Sequence, residues 1–171
     1  MLKQIWFFIL HLRPHYQILI LSGGFLLGGL LADTMNHQQF WFQFLNVHIL
    51  LFGGATAYNS YWDKDEGPVG GLKNPPVMSS WMHPASLLFQ FAGLYVAWQM
   101  GIHYALIYFV SFILFWLYST PLARWKGHPL LSIFVIAVST GTNSVLLGCL
   151  AAGGQLSANV IVAAAGASFI L

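Results

Sequence analysis

Long apolar runs separated by short polar loops dominate this chain, and only 6% of its 171 residues are charged. A soluble domain carries roughly 25% charged residues. Too few polar groups remain here to coat a water-facing surface, so the runs must face lipid. The expected class is an all-α, multi-spanning membrane protein. The six Lys and Arg residues are dispersed and the formal net charge is only +2. That pattern lacks the basic patch a nucleic-acid partner requires. The single cysteine, Cys149, lies in an apolar run and has no partner for an internal disulfide. Lys3 precedes an apolar stretch, but no small-residue cleavage site comes after it, so the N-terminus reads as mature sequence.

Residues 1–15 read as an interfacial lead-in helix, with Trp6, Phe7 and Phe8 close to Lys3 and Arg13. The remainder, 16–171, reads as a helical bundle. Spans are expected at about 16–32, 40–58, 84–100, 102–119, 129–151 and 158–171, the last cut short. Pro14 suits the first turn of the next helix. Gly24 and Gly28 have the spacing that lets two membrane helices approach closely. Gly101 marks a tight return between two spans.

Charge tests this arrangement. With six spans, Lys3, Arg13, Lys64, Lys73, Arg124 and Lys126 all fall on one side. The opposite loops, 33–39, 99–103 and 152–157, hold no Lys or Arg. The positive-inside rule puts the basic side in the cytoplasm, with the N-terminus and the 59–83 loop. The expected location is a prokaryotic cell inner membrane.

The segment 59–76, NSYWDKDEGPVGGLKNPP, concentrates the polar chemistry. It holds Asp63, Asp65 and Glu66, three of the four acidic residues. Asn59, Asp63 and Glu66 sit at i, i+4 and i+7, so a continuing helix would put all three on one face. Oxygen ligands grouped in this way suit a hard divalent ion such as Mg²⁺, which binds one or two carboxylates plus substrate phosphates and water. Lys73, Arg124 and Lys126 can supply counter-charge to a phosphate-bearing substrate. A plain solvated loop is the alternative for the acidic run. A polar band in the fifth span, Ser139, Thr140, Thr142, Asn143 and Ser144, reads first as interhelical hydrogen bonding. Its sharper reading gives Asn143 a contact with diphosphate or acceptor.

These residues resemble a family. Asn59 and Asp63 fit the first aspartate-rich motif of the UbiA superfamily of intramembrane prenyltransferases. Tyr118, Ser119, Pro121, Arg124 and Lys126 resemble its Y-S-x-P-x-x-R-x-K loop, and Arg13-Pro14 resembles its Arg-Pro before the first span. The resemblance covers essentially the whole chain. It implies part of a bundle of about nine helices around a central cavity. It implies Mg²⁺-dependent transfer of a prenyl group from an isoprenyl diphosphate to an aromatic or other lipophilic acceptor. Asn59 and Asp63 would then be catalytic and metal-binding, with Asp65 and Glu66 as further metal ligands. Lys73, Tyr118, Arg124, Lys126 and Asn143 would bind diphosphate.

Departures accompany the match. Ser60 stands where the family has a second Asp, and Gly67 where it has the last one. Either Asp65 or Glu66 can take over as a ligand. The family's second aspartate-rich motif follows its sixth span and is expected beyond Leu171. The expectation is therefore an N-terminal portion holding half of a metal cage and inactive alone. The rival reading is a non-catalytic membrane protein, either a degenerate relative or a carrier of lipid or ion.

Overall fold

The apolar runs become helices. The structure, a computed structural model, describes residues 2–64 and 67–169. In chain order the helices are α1 (Leu2–Leu12), α2 (Pro14–Leu19), α3 (Gly23–Leu30), α4 (His37–Asp63), α5 (Met82–Trp98), α6 (Ile102–Ser119), α7 (Pro129–Ala151) and α8 (Ala158–Ala167). A 3₁₀ turn, Trp125–Gly127, stands between α6 and α7. No strand occurs among the described residues, only an isolated bridge from Val69 to Leu72. The all-helical class expected from the sequence is the one observed. By length and composition α4, α6 and α7 are fit to cross a bilayer.

Local chemistry sets the helix ends. α2 and α7 each begin with a proline, whose missing N–H costs nothing in a first turn. The Asn36 side chain accepts from the Gln39 N–H at the start of α4, and Ser157 caps α8 through the Val160 N–H. Gly101, at φ 103°, makes the reversal between α5 and α6 that the sequence predicts.

The first span departs from expectation. Instead of one helix over 16–32, the chain forms α2, a turn at residues 20–22, and α3. The Leu21 N–H reaches five residues back to the Tyr16 carbonyl at 3.3 Å, so the helical register slips there. The cause is local. Ser22, Gly23 and Gly24 form a poor helical interior, and Ser/Gly pairs are a usual site of kinks.

That kinked segment packs against α7 at backbone distance. A Cβ on Gly28 would lie 2.0 Å from the Val145 carbonyl oxygen, and one on Gly148 would lie 2.0 Å from that of Phe25. Gly24 faces Ser144 in the same row, at 3.1 Å from its Cβ. The Gly24/Gly28 spacing thus does what small residues do between membrane helices. Beside this crossing, Phe25, Phe40, Phe44, Phe52, Tyr108 and Phe112 build an aromatic-rich core.

Buried polar groups tie the other helices. Asn46 Nδ2 donates to Gln43 Oε1 at 2.9 Å and to the Gly93 carbonyl at 3.2 Å, linking α4 to α5. The Tyr108 hydroxyl of α6 donates to Asn46 Oδ1 at 3.4 Å. Outward positions stay apolar: Phe91, Tyr95 and Trp98 on α5, Leu106 and Phe109 on α6, Leu130 and Ile133 on α7 are exposed. So much outward apolar surface suits lipid rather than water.

Two helices carry π-helical segments, Asn46–Gly53 inside α4 and Ala137–Thr142 inside α7. Each widens the turn by one residue and rotates the later turns of its helix.

Gly28→Ala and Gly148→Ala should each lower unfolding stability in detergent by about 2 kcal/mol, the scale of core overpacking. Gly23→Ala should cost nothing, because no atom lies within 4 Å of the added Cβ. Thermal unfolding of the three variants checks this.

Candidate active site

The last turns of α4 present a polar stripe of Thr56, Asn59, Ser60 and Asp63. The helix continues through Asp63 and stops at Lys64, which takes the left-handed conformation at φ 50°. Asn59 and Asp63 therefore share a face, as their i, i+4 spacing predicts. Asn59 Nδ2 donates to Asp63 Oδ2 at 2.9 Å.

The loop after α6 meets this face. α6 ends at Ser119 because Thr120, which precedes Pro121, is extended. Arg124, left-handed at φ 46°, then turns the chain into the 3₁₀ turn that carries Lys126. Ser119 Oγ donates to Asn59 Oδ1 at 2.9 Å. Lys126 Nζ donates to the same oxygen at 2.8 Å and forms an ion pair with Asp63 Oδ1. The side chains of Lys126 and Asp63 are 14% and 24% exposed. So much lost water places the pair between a weak surface bridge and a costly buried one.

A second tie secures the segment 67–76. Arg13, left-handed at φ 51°, donates from Nη2 to Ser60 Oγ at 2.7 Å. Gly70, at φ 49°, lies on this guanidinium so closely that a Cβ would stand 2.6 Å from Arg13 Nη1. His11 Nε2 bonds the Pro76 carbonyl at 2.7 Å. The loop is thus laid down on the α1–α2 junction, and the close approach explains the glycine.

Behind Asn59 opens a cavity of about 230 Å³. Asn59, Ser119, Gln17 and Thr56 form its polar part, and Tyr16, Phe52, Phe115 and Tyr118 supply aromatic wall. Gln17 Nε2 donates to Thr56 Oγ1 at 3.1 Å, which orients both. Phe52 and Thr140, also in the lining, come from the two π-helical segments.

The predicted residues divide. Asn59 and Tyr118 line the cavity, and Asp63 and Lys126 are bonded to Asn59 outside that lining. Asp65 and Glu66 lie outside the described residues. The side chains of Lys73 and Arg124 are exposed and make no hydrogen bond or ion pair among the described residues. Asn143 is buried and donates to Ser111 Oγ at 2.9 Å, across α6 and α7, and is not in the cavity lining. Tyr61, Tyr58 and Trp62 do not face the cavity but surround His83, at centroid distances of 4.7, 5.2 and 5.3 Å.

Sequence spacing does not reach Gln17, Thr56 or the role of Ser60. Gln17 is brought in by α2, and Ser60 is explained by its contact with Arg13. Ser119 offers a signal only through its place beside Tyr118 in the loop pattern.

The donor set fits a hard cation. Asn59 Oδ1 and Asp63 Oδ1 already converge on one cationic nitrogen. Among the described residues no three His, Cys, Asp or Glu groups converge. Two protein oxygens, completed by phosphate and water, are what Mg²⁺ commonly accepts.

The chain matches the UbiA prenyltransferase family over residues 20–171. No curated protein and no solved structure matches it.

Ser60→Ala removes an acceptor from a buried guanidinium and should lower unfolding stability by about 1–3 kcal/mol. Ser80→Ala, exposed at the far end of the same loop, should leave it unchanged. Chemical denaturation of both variants in the same detergent is the check.

Proposed function

The chain belongs to the UbiA prenyltransferase family, and on that premise we propose that it binds an isoprenyl diphosphate and transfers its prenyl group to a lipophilic acceptor. One observation carries the reading. A cation-holding oxygen pair, Asn59 Oδ1 and Asp63 Oδ1, adjoins an aromatic-walled cavity that Asn59 itself lines, on an apolar bundle. A diphosphate head with an apolar tail needs those two environments side by side.

Asn59 and Asp63 would hold Mg²⁺, with Asp65 or Glu66 as a further ligand, and the bound ion supplies charge that eases departure of the diphosphate. Arg124 offers a planar fork of N–H groups and Lys73 and Lys126 point charges for the same anion. The exposure of Arg124 and Lys73 leaves them open to an incoming phosphate. The prenyl chain takes the cavity. Its volume of about 230 Å³ is below the roughly 300–1,000 Å³ of sites that enclose a drug-sized ligand. It therefore takes part of an extended chain. The aromatic rings of Tyr118, Tyr16, Phe52 and Phe115 in its lining would stabilise positive charge developing at the allylic carbon. The apolar wall keeps water from capturing that carbon.

The contacts among Arg13, Ser60, Asp63 and Lys126 bring basic segments to one end of the bundle. By the positive-inside rule that end is cytoplasmic. The membrane is then a prokaryotic inner membrane crossed six times by the segment, with α1 at the interface and α2–α3 as the first crossing.

Two experiments test the proposal. Mg²⁺-dependent binding of a non-hydrolysable isoprenyl thiolodiphosphate should weaken at least tenfold in Asp63→Ala and about ten- to hundredfold in Arg124→Ala, the range of one charge-assisted contact. Undiminished metal-dependent binding by Asp63→Ala sinks the assignment. Ala55→Phe, which intrudes on the cavity wall, should weaken long-chain donors several-fold more than the five-carbon one. Calorimetric titration reads both.

A further inference from the structure

The ammonium of Lys126 occupies the place in which Asn59 and Asp63 would hold a metal. Its nitrogen lies 2.8 Å from Asn59 Oδ1 and is ion-paired with Asp63 Oδ1. A divalent ion bound by these two oxygens at roughly 2.0–2.1 Å needs the same lone pairs and the same space. The two cations exclude one another.

We propose that Lys126 is an internal cation that closes the Asn59–Asp63 pair in the metal-free protein and withdraws to the diphosphate, so that metal and diphosphate enter together. The inference rests on the reading of Asn59 and Asp63 as metal ligands. It goes beyond that reading by giving Lys126 two alternating partners.

Three features support the exchange. First, charge is balanced without metal. Asp63 carries one negative charge, Asn59 none, and Lys126 cancels it. A metal arriving alone meets an oxygen pair whose charge Lys126 already cancels and must also shed water, which Mg²⁺ does reluctantly. A metal arriving with diphosphate brings the anion that takes up the displaced ammonium. Second, the oxygens do not depend on Lys126 for their aim. Asn59 Nδ2 still holds Asp63 Oδ2 at 2.9 Å, and Ser119 Oγ still holds Asn59 Oδ1 at 2.9 Å. Withdrawal of the lysine therefore leaves a formed pair. Third, Lys126 can move. It sits on a three-residue 3₁₀ turn between left-handed Arg124 and extended His128. Its stem has four rotatable carbons, and Arg124 is exposed two residues away. A bidentate arginine at this position would grip the carboxylate harder and exchange less easily.

Mn²⁺ binding to the purified chain in detergent, read by electron paramagnetic resonance with no diphosphate present, tests the device. Lys126→Met should bind Mn²⁺ at least tenfold more tightly than wild type. Lys126→Gln, which keeps a hydrogen-bond donor for Asn59 but no charge, should do the same and covers the case in which the first variant does not fold. Lys64→Met loses an equal charge from the exposed neighbour of Asp63 and should change affinity by less than about threefold, because an exposed charge is screened. Equal or weaker Mn²⁺ binding in the Lys126 variants overturns the proposal, as does an equal gain in Lys64→Met. Adding Asp63→Ala to Lys126→Gln separates the two claims. If the double variant loses the ion but Lys126→Gln alone gains nothing, the internal cation is wrong and the ligand assignment stands. If tight binding survives Asp63→Ala, the ligand assignment itself fails.

Discussion

Helices surrounded by lipid gain little by burying apolar surface against each other, because the lipid is equally apolar. Close contact and internal hydrogen bonds must hold such a bundle instead. Both are visible here. Gly28 and Gly148 let α3 and α7 meet at backbone distance, where each would otherwise strike the other's carbonyl. Dispersion contacts then accumulate along the whole crossing. Elsewhere Asn46, Tyr108, Asn143 and Ser111 join helices through their side chains. The site obeys the same rule. Its polar groups are bonded to one another before any ligand arrives, and those bonds are what attach the loop after α6 to the end of α4.

This rule also explains which parts were legible in the sequence. Patterns that depend on one helix alone transferred well. The i, i+4 relation of Asn59 and Asp63 became a direct hydrogen bond, and the Gly24/Gly28 spacing became a close helix crossing. The meeting of the two polar loops came from charge and from the family's loop pattern, and Lys126 realises it. Features that depend on two elements at once were hidden. Ser60 reads as a lost acid until Arg13 is seen beside it. Gln17 reads as one more residue of a first span until the kink at residues 20–22 is known. The π-helical segments were not read from the sequence, although in α7 Ser139 and Thr140 bond back to the Val135 and Ile136 carbonyls. Yet those segments carry Phe52 and Thr140 into the cavity wall.

The pairing of an amide with a carboxylate at the end of α4 has a consequence that two carboxylates would not share. An Asn59–Asp63 pair carries a single negative charge, and one lysine neutralises it in a partly desolvated place. Two carboxylates at hydrogen-bond distance would repel, one would take up a proton, and a single lysine would leave charge uncancelled. The amide avoids that by donating its N–H to the acid while turning its oxygen to the cation. It thus fixes the direction of two oxygens with only one charge between them. The single charge weakens the attraction of the bare pair for a divalent ion, because Coulomb attraction scales with the charge presented. Affinity must then come from what the ion brings with it. On the proposed reading, a metal–diphosphate would supply the missing negative charge, and Lys126, Arg124 and Lys73 would supply the positive charge to receive its excess. Selection for the complex over the free ion would then come from the net charge of the pair rather than from its shape.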